Sequence, residues 1–180
     1  SEQVEMYRQQ LEAFHPLPVT MRTLDIGGDK PLSYFPIKET NPYLGWRGIR
    51  VTLDHPEIFS VQVRAMIKAS AGLNNLSILL PMISGVDELE DAQQLIQRAW
   101  HELTNEGIDV QMPQIGVMIE VPSAVYQARE LARIADFLSV GSNDLTQYLL
   151  AVDRNNARVA DLYDYLHPAV LMALQDVVAA

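Results

Sequence analysis

Two carboxylates, an amide and several guanidinium groups stand where apolar runs of this sequence stop. Glu120 closes the run QIGVMIE, and Asn143-Asp144 follow FLSV. Arg22 and Asp25 close the run VTMRTLD, and Lys30 lies in the Gly27-Gly28-Asp29-Lys30 turn after it. Arg47, Arg50 and Arg154 lie in connections that return to the same ends. Paired carboxylates suit a hard cation: Mg2+ typically takes one or two of them and leaves its other positions to water and substrate oxygens. Arginines suit an anion, because a guanidinium fork meets carboxylate or phosphate bidentately. Together the groups point to a small phosphorylated or carboxylated ligand bridged by Mg2+.

Each group also has a plainer structural reading. Glu120 is placed to favour the N-terminus of a helix begun by Pro122. Asn143 or Asp144 would serve as a helix N-cap. Asp153-Arg154 would pass as a solvated pair at a helix end, Arg47 and Arg50 as a basic helix face, and Gly27-Gly28 as a turn. The four histidines, His15, His55, His101 and His167, share no spacing that suggests a site. The seven methionines are scattered and read as core filler. What favours the functional reading is convergence, since helix capping requires no arginine.

The elements that must position these groups follow from periodicity. Residues 2–14 read as an amphipathic helix ended by His15-Pro16, and residues 19–25 as a strand. Residues 31–48, with Pro31, Pro36, Pro42, Gly45 and Gly48, read as a long irregular connection, a form that is more often functional than not. Helices are expected over 56–71, 86–105, 122–134, 143–152 and 168–178, and strands over 76–82, 114–120 and 135–141. The strands are short, apolar and not alternating, so all are expected to be buried on both faces of a parallel sheet. A doubly wound sheet and a (β/α)8 barrel both fit. In either, ligands bind at the carboxyl ends of the strands, which is where Arg22, Glu120, Asn143 and Asp144 fall. No Gly-x-Gly-x-x-Gly opens a helix, so a dinucleotide site is unsupported.

The bulk composition narrows the classes. The chain has 180 residues, a net charge of −10 and no cysteine. Such acidity argues against nucleic acid as a partner, which needs a basic face. Thiolate metal sites, disulfides and cysteine nucleophiles are excluded within this chain. No long apolar run suggests a membrane span, and a cytoplasmic protein of one domain is the expectation.

Five stretches, RTLDIGGDK (22–30), NPYLGWRGIR (41–50), LLPMI (79–83), GVMIEVPSA (116–124) and SVGSNDLTQYLLAVDRNN (139–156), resemble the barrel of enzyme I of the bacterial phosphotransferase system. Pyruvate phosphate dikinase and PEP synthase share that barrel. The wording of the last stretch, with RVADLYDYLHPAV (158–170), is closer to the nitrogen-related branch than to the sugar branch. The resemblance implies a (β/α)8 barrel that binds phosphoenolpyruvate (PEP) and Mg2+. The family's Mg2+ ligands fall on Glu120 and Asp144. Its PEP-holding residues fall on Arg22, Asn143 and Arg154, with Arg47 as a further rim arginine and Lys30 in the GGDK loop. It also implies phosphoryl transfer from PEP to a histidine on a separate domain, then to a histidine phosphocarrier protein, in an enzyme that forms a homodimer.

The departures set further expectations. The LYRTE-type arginine motif, the GMCGE-type cysteine strand and the TSH-type phosphohistidine motif have no counterpart in this sequence. The chain is therefore expected to be about four of a barrel's eight strands, to carry no catalytic histidine or cysteine of its own, and to be inactive alone. Exposed sheet edges would then be covered by another chain or the sheet rearranged. The rival expectations are a dikinase or synthase barrel, a non-catalytic dimerisation or sensing module, and a Mg2+-dependent aldolase-type barrel.

Overall fold

The computed structural model describes residues 1–30 and 32–180; Pro31, part of the irregular connection read from sequence, lies outside the described residues. Four strands form one parallel sheet in chain order: β1 (Val19–Arg22), β2 (Leu76–Leu80), β3 (Gln114–Ile119) and β4 (Phe137–Val140). The helices are α1 (Glu2–Phe14), α2 (Ile49–Asp54), α3 (Pro56–Ala69), α4 (Val86–Asn105), α5 (Pro122–Tyr126), α6 (Ala128–Ile134), α7 (Ser142–Leu150) and α8 (Pro168–Ala179). Among them α1 packs on α3, α3 on α4, α4 on α6 and α6 on α8, in one row. A sequential parallel sheet backed by a single row of helices is the wall of a (β/α)8 barrel. A doubly wound sheet would reverse its strand order and carry helices on both faces.

Burial explains why these segments take these forms. Successive strand residues point to opposite faces. Met21, Ile78, Leu80, Ile115, Val117 and Ile119 thus face the helices and join the main core. In α3, Phe59, Val63, Met66 and Ile67 bury one stripe; in α4, Leu89, Ala92, Ile96, Ala99 and Leu103 do the same. On the other face Arg22, Leu79, Gly116 and Phe137 stand side by side across the register. Gly116 is required there, because a Cβ would lie 2.3 Å from the Phe137 ring.

Several sequence expectations need correction. Strand β1 ends at Arg22 rather than Asp25. Thr23 still donates to the Leu79 carbonyl, but the Leu24 N–H turns to Gln62 Oε1 at 2.9 Å, which takes the chain out of the sheet. Burial on both faces holds throughout β2 and for most of β3, but not for β1 or β4, which lie at the two edges of the sheet. The helix expected over 122–134 is two helices, parted at Gln127, whose φ of −103° and ψ of 14° leave the helical region. Helix α2 was not foreseen: six residues are too few for an apolar period to register.

Candidate functional site

The carboxyl ends of the strands enclose a cleft of about 260 Å³ lined by Arg22, Lys30, Met118, Glu120, Val140, Gly141, Ser142, Asn143, Asp144 and Arg154. Six of the seven residues that the resemblance assigns to cation or PEP binding therefore share one cleft. The seventh, Arg47, does not line it. Its side chain is 1% exposed, beneath the cleft, and is not on the rim.

Glu120 follows β3 directly and is 1% exposed. Its Oε1 accepts from the backbone N–H of Met82 at 2.7 Å. Met82 presents that N–H from a positive φ of 61°, a conformation uncommon for a side chain of its size. Gly141 closes the other side. A Cβ there would lie 2.6 Å from Glu120 Oε2, so only glycine lets the β4–α7 turn come this near. Burial pushes the Glu120 carboxyl up to about 7; the Met82 N–H opposes this, and the negative charges of Asp144 and Asp25 add to it.

Asp144 is the third residue of α7, and its helix is capped at Gly141 with no side-chain bond. The N-cap reading of Asn143 or Asp144 thus does not apply. Asp144 Oδ2 lies 3.5 Å from Arg47 Nη2, and its Oδ1 lies 3.6 Å from Arg154 Nη2. Glu120 is not a helix cap either, since α5 starts after Val121 without a side-chain cap. Arg154 faces Asp144 rather than forming a solvated pair with Asp153, which accepts from the Asn155 N–H at 2.8 Å. Arg50 donates to the Gly45 carbonyl at 2.9 Å and stands apart from the cleft. Asn143 is exposed, and its Oδ1 accepts from the Tyr163 hydroxyl at 3.1 Å. Arg22 lies 3.7 Å from Asp25.

Arg47 is a buried hub. Its guanidinium lies 3.6 Å from Asp25 and 3.8 Å from Asp29 as well as beside Asp144. It donates to the Tyr148 hydroxyl at 3.3 Å. Burial pulls this guanidinium down, but Asp25, Tyr148, Asp144 and Asp29 outweigh it and hold the group above its ordinary value. Gly27 makes room, because a Cβ there would lie 2.6 Å from Arg47 Cβ. Gly48, at φ +56°, turns the chain into α2 and would meet Met82 Cβ at 2.8 Å if substituted.

Sequence reasoning left Asp25 and Asp29 without a role, and missed Tyr43, Met82 and Tyr148. Asp25 and Asp29 stand in the quoted RTLDIGGDK, so the signal was present. Tyr148 follows Asp144 by four residues on a helix, a spacing that places both on one face. Tyr43 and Met82 also stand in quoted stretches, but their residue types mark neither the contacts of Tyr43 nor the positive φ of Met82.

The donor set fits Mg2+. Glu120 and Asp144 offer only hard oxygens from adjacent elements, and Asp144 Oδ1 is buried with no hydrogen-bond partner. Among the described residues no three His, Cys, Asp or Glu side chains form a cage. A cation here would complete its shell with ligand oxygens, as Mg2+ does beside phosphates. Among the described residues no helix is long and apolar enough to cross a membrane.

Comparison with known proteins identifies the family. The family model described as "PEP-utilising enzyme, PEP-binding domain" matches residues 1–180. The chain is 58% identical over 174 residues to the "Phosphoenolpyruvate-dependent phosphotransferase system" protein of Escherichia coli, covering 96% of the chain and 23% of that protein. It is 46% identical over 182 residues to the "Phosphoenolpyruvate-protein phosphotransferase" of Haemophilus influenzae, covering 99% of the chain and 31% of that protein. It thus spans about a quarter to a third of the length of these relatives. A citrate lyase from Burkholderia xenovorans shares the fold at a TM-score of 0.53 and 16% identity, over 99% of this chain and 47% of the lyase. With the family model matched from end to end and the cleft at the strand ends, the chain belongs to the PEP-binding domain family of PEP-utilising enzymes.

Proposed function

We propose that this chain is the PEP- and Mg2+-binding segment of a cytoplasmic PEP–protein phosphotransferase. The observation that carries the reading is the cleft in which Glu120 and Asp144 meet Arg22 and Arg154. Glu120 and Asp144 would hold Mg2+, which when bound supplies charge neutralisation to the phosphate and to the enolate left behind. Arg154 and Arg22 would orient the phosphate and carboxylate of PEP, with Asn143 as a further contact and Lys30 at the mouth. Arg47 would serve from below by fixing Asp144. A loose phosphoryl transfer asks the protein for little beyond position and charge.

In the transfer, the bond from phosphorus to the enol oxygen breaks and one to an imidazole nitrogen forms. Among the described residues no histidine lines the cleft, so the acceptor would come from elsewhere in a longer protein and pass the group to a histidine phosphocarrier protein. We take these 180 residues as binding PEP without turning it over. The wording of residues 139–156 supports assignment to the nitrogen-related branch, and the exposed edges β1 and β4 support association with further chain or a second subunit.

Calorimetric titration of PEP with Mg2+ present tests the reading. Heat is expected for the wild type and none for the double variant Glu120→Ala, Asp144→Ala. A wild type without heat, or heat unchanged in the variant, would favour a non-catalytic interaction module instead.

A further inference from the structure

We propose that Tyr148 is a positioning residue for the cation ligand Asp144, acting through Arg47, and that Tyr43 and Asn155 tie the loop carrying Arg154 into the same chain of contacts. The inference rests on the function proposed above. The three carboxylates around Arg47 lie 3.5–3.8 Å from its nitrogens. At that range they attract the guanidinium without directing it as a hydrogen bond would. Its hydrogen bond goes to Tyr148, from Nη1 at 3.3 Å. A guanidinium is a rigid planar fork. Holding Nη1 on the phenol therefore fixes Nη2, the atom that faces Asp144 Oδ2 and Asp25 Oδ1.

Tyr148 is itself anchored. Its hydroxyl donates to the Tyr43 carbonyl. The Tyr43 ring faces Arg47, 5.7 Å from the guanidinium carbon, within cation–π range. The Tyr43 hydroxyl accepts from the Asn155 side-chain amide, one residue beyond Arg154. Each oxygen of Asp144 faces one arginine; Arg47 is bonded to Tyr148, and the residue that follows Arg154 is bonded to Tyr43. The Nε of Arg47 has no partner, so among the described residues the Tyr148 hydroxyl is the one hydrogen-bond acceptor of the fork. Removing one phenolic oxygen would leave every charge in place and release the orientation of Asp144.

The test follows Mn2+ bound to the chain in the presence of PEP, by the electron paramagnetic resonance signal of the free ion. Tyr148→Phe is expected to weaken Mn2+ binding about 10-fold, the low end for residues that orient a metal ligand. With Mn2+ saturating, PEP affinity should change much less. Asn155→Ala, at an exposed position, should shift Mn2+ affinity in the same direction by less. A merely structural role would lower the unfolding temperature and leave Mn2+ affinity of the folded protein unchanged. That result in both variants overturns the proposal while the proposed function stands. If instead the wild type fails to bind Mn2+, or Glu120→Gln binds it equally well, both fall together.

Discussion

The backbone N–H of Met82 donates to Glu120 Oε1 at 2.7 Å, so the exit of β2 holds the carboxylate that follows β3. Even with this bond, burial and the nearby Asp144 and Asp25 raise Glu120 to about 7, from an ordinary 4.5. The folded state then binds a proton more tightly than the unfolded state. Stability is therefore lost as pH rises through the interval from about 4.5 to 7, and the loss is complete above it. The metal-free chain should melt at a lower temperature near pH 8 than near pH 5, and Glu120→Gln should flatten that part of the profile. Equal slopes in the two proteins would contradict the assignment. Because a proton competes with the cation, Mg2+ affinity should rise across the same interval.

Gly141→Ala tests the close approach of the β4–α7 turn to Glu120. The added Cβ would meet Glu120 Oε2 at 2.6 Å and Met118 Sδ at 3.0 Å. The turn must move, at a cost of about 1–3 kcal/mol. Calorimetry should show weaker Mg2+ and PEP binding, and denaturant unfolding a lower midpoint. Wild-type binding in a folded Gly141→Ala protein would mean that the turn does not set the site.

Gly116→Ala serves as a counterpart away from the charges. Its Cβ would lie 2.3 Å from the Phe137 ring, which must swing aside. A loss of about 1–3 kcal/mol in stability is expected from urea unfolding. PEP affinity of the protein that remains folded should stay near wild type.

Arg22→Gln separates binding from stability. Its side chain is 45% exposed and 3.7 Å from Asp25; that carboxylate is 3% exposed but keeps Arg47 at 3.6 Å when Arg22 is removed, so its charge stays compensated. The unfolding free energy should change by less than about 0.5 kcal/mol. PEP affinity should fall by about 10-fold or more, as expected for a lost hydrogen bond to a charged group. A stability loss without an affinity loss would assign Arg22 to the fold instead.

Much of this was legible in the sequence because burial writes a period. The apolar runs of β2 and β3 and the stripes of α3 and α4 announce themselves, and the polar residues that break them mark the strand exits. What escaped has no local signature. Arg47 reads as one more rim arginine in GWRGIR, yet Asp25 and Asp29 from the loop after β1 and Asp144 from the first turn of α7 draw it underneath. The end of β1 depends on Gln62, nearly forty residues on in the chain, capturing the Leu24 N–H. Edge exposure of β1 and β4 depends on sheet order, which apolar runs do not encode.

The central claim is that one cleft holds both the cation and the phosphate. Phosphorus NMR of PEP with Mn2+ measures it directly. The resonance should broaden far more with the chain and Mn2+ together than with Mn2+ alone, and Asp144→Asn should abolish the excess. Equal broadening with and without the chain, or full broadening in Asp144→Asn, would contradict the account.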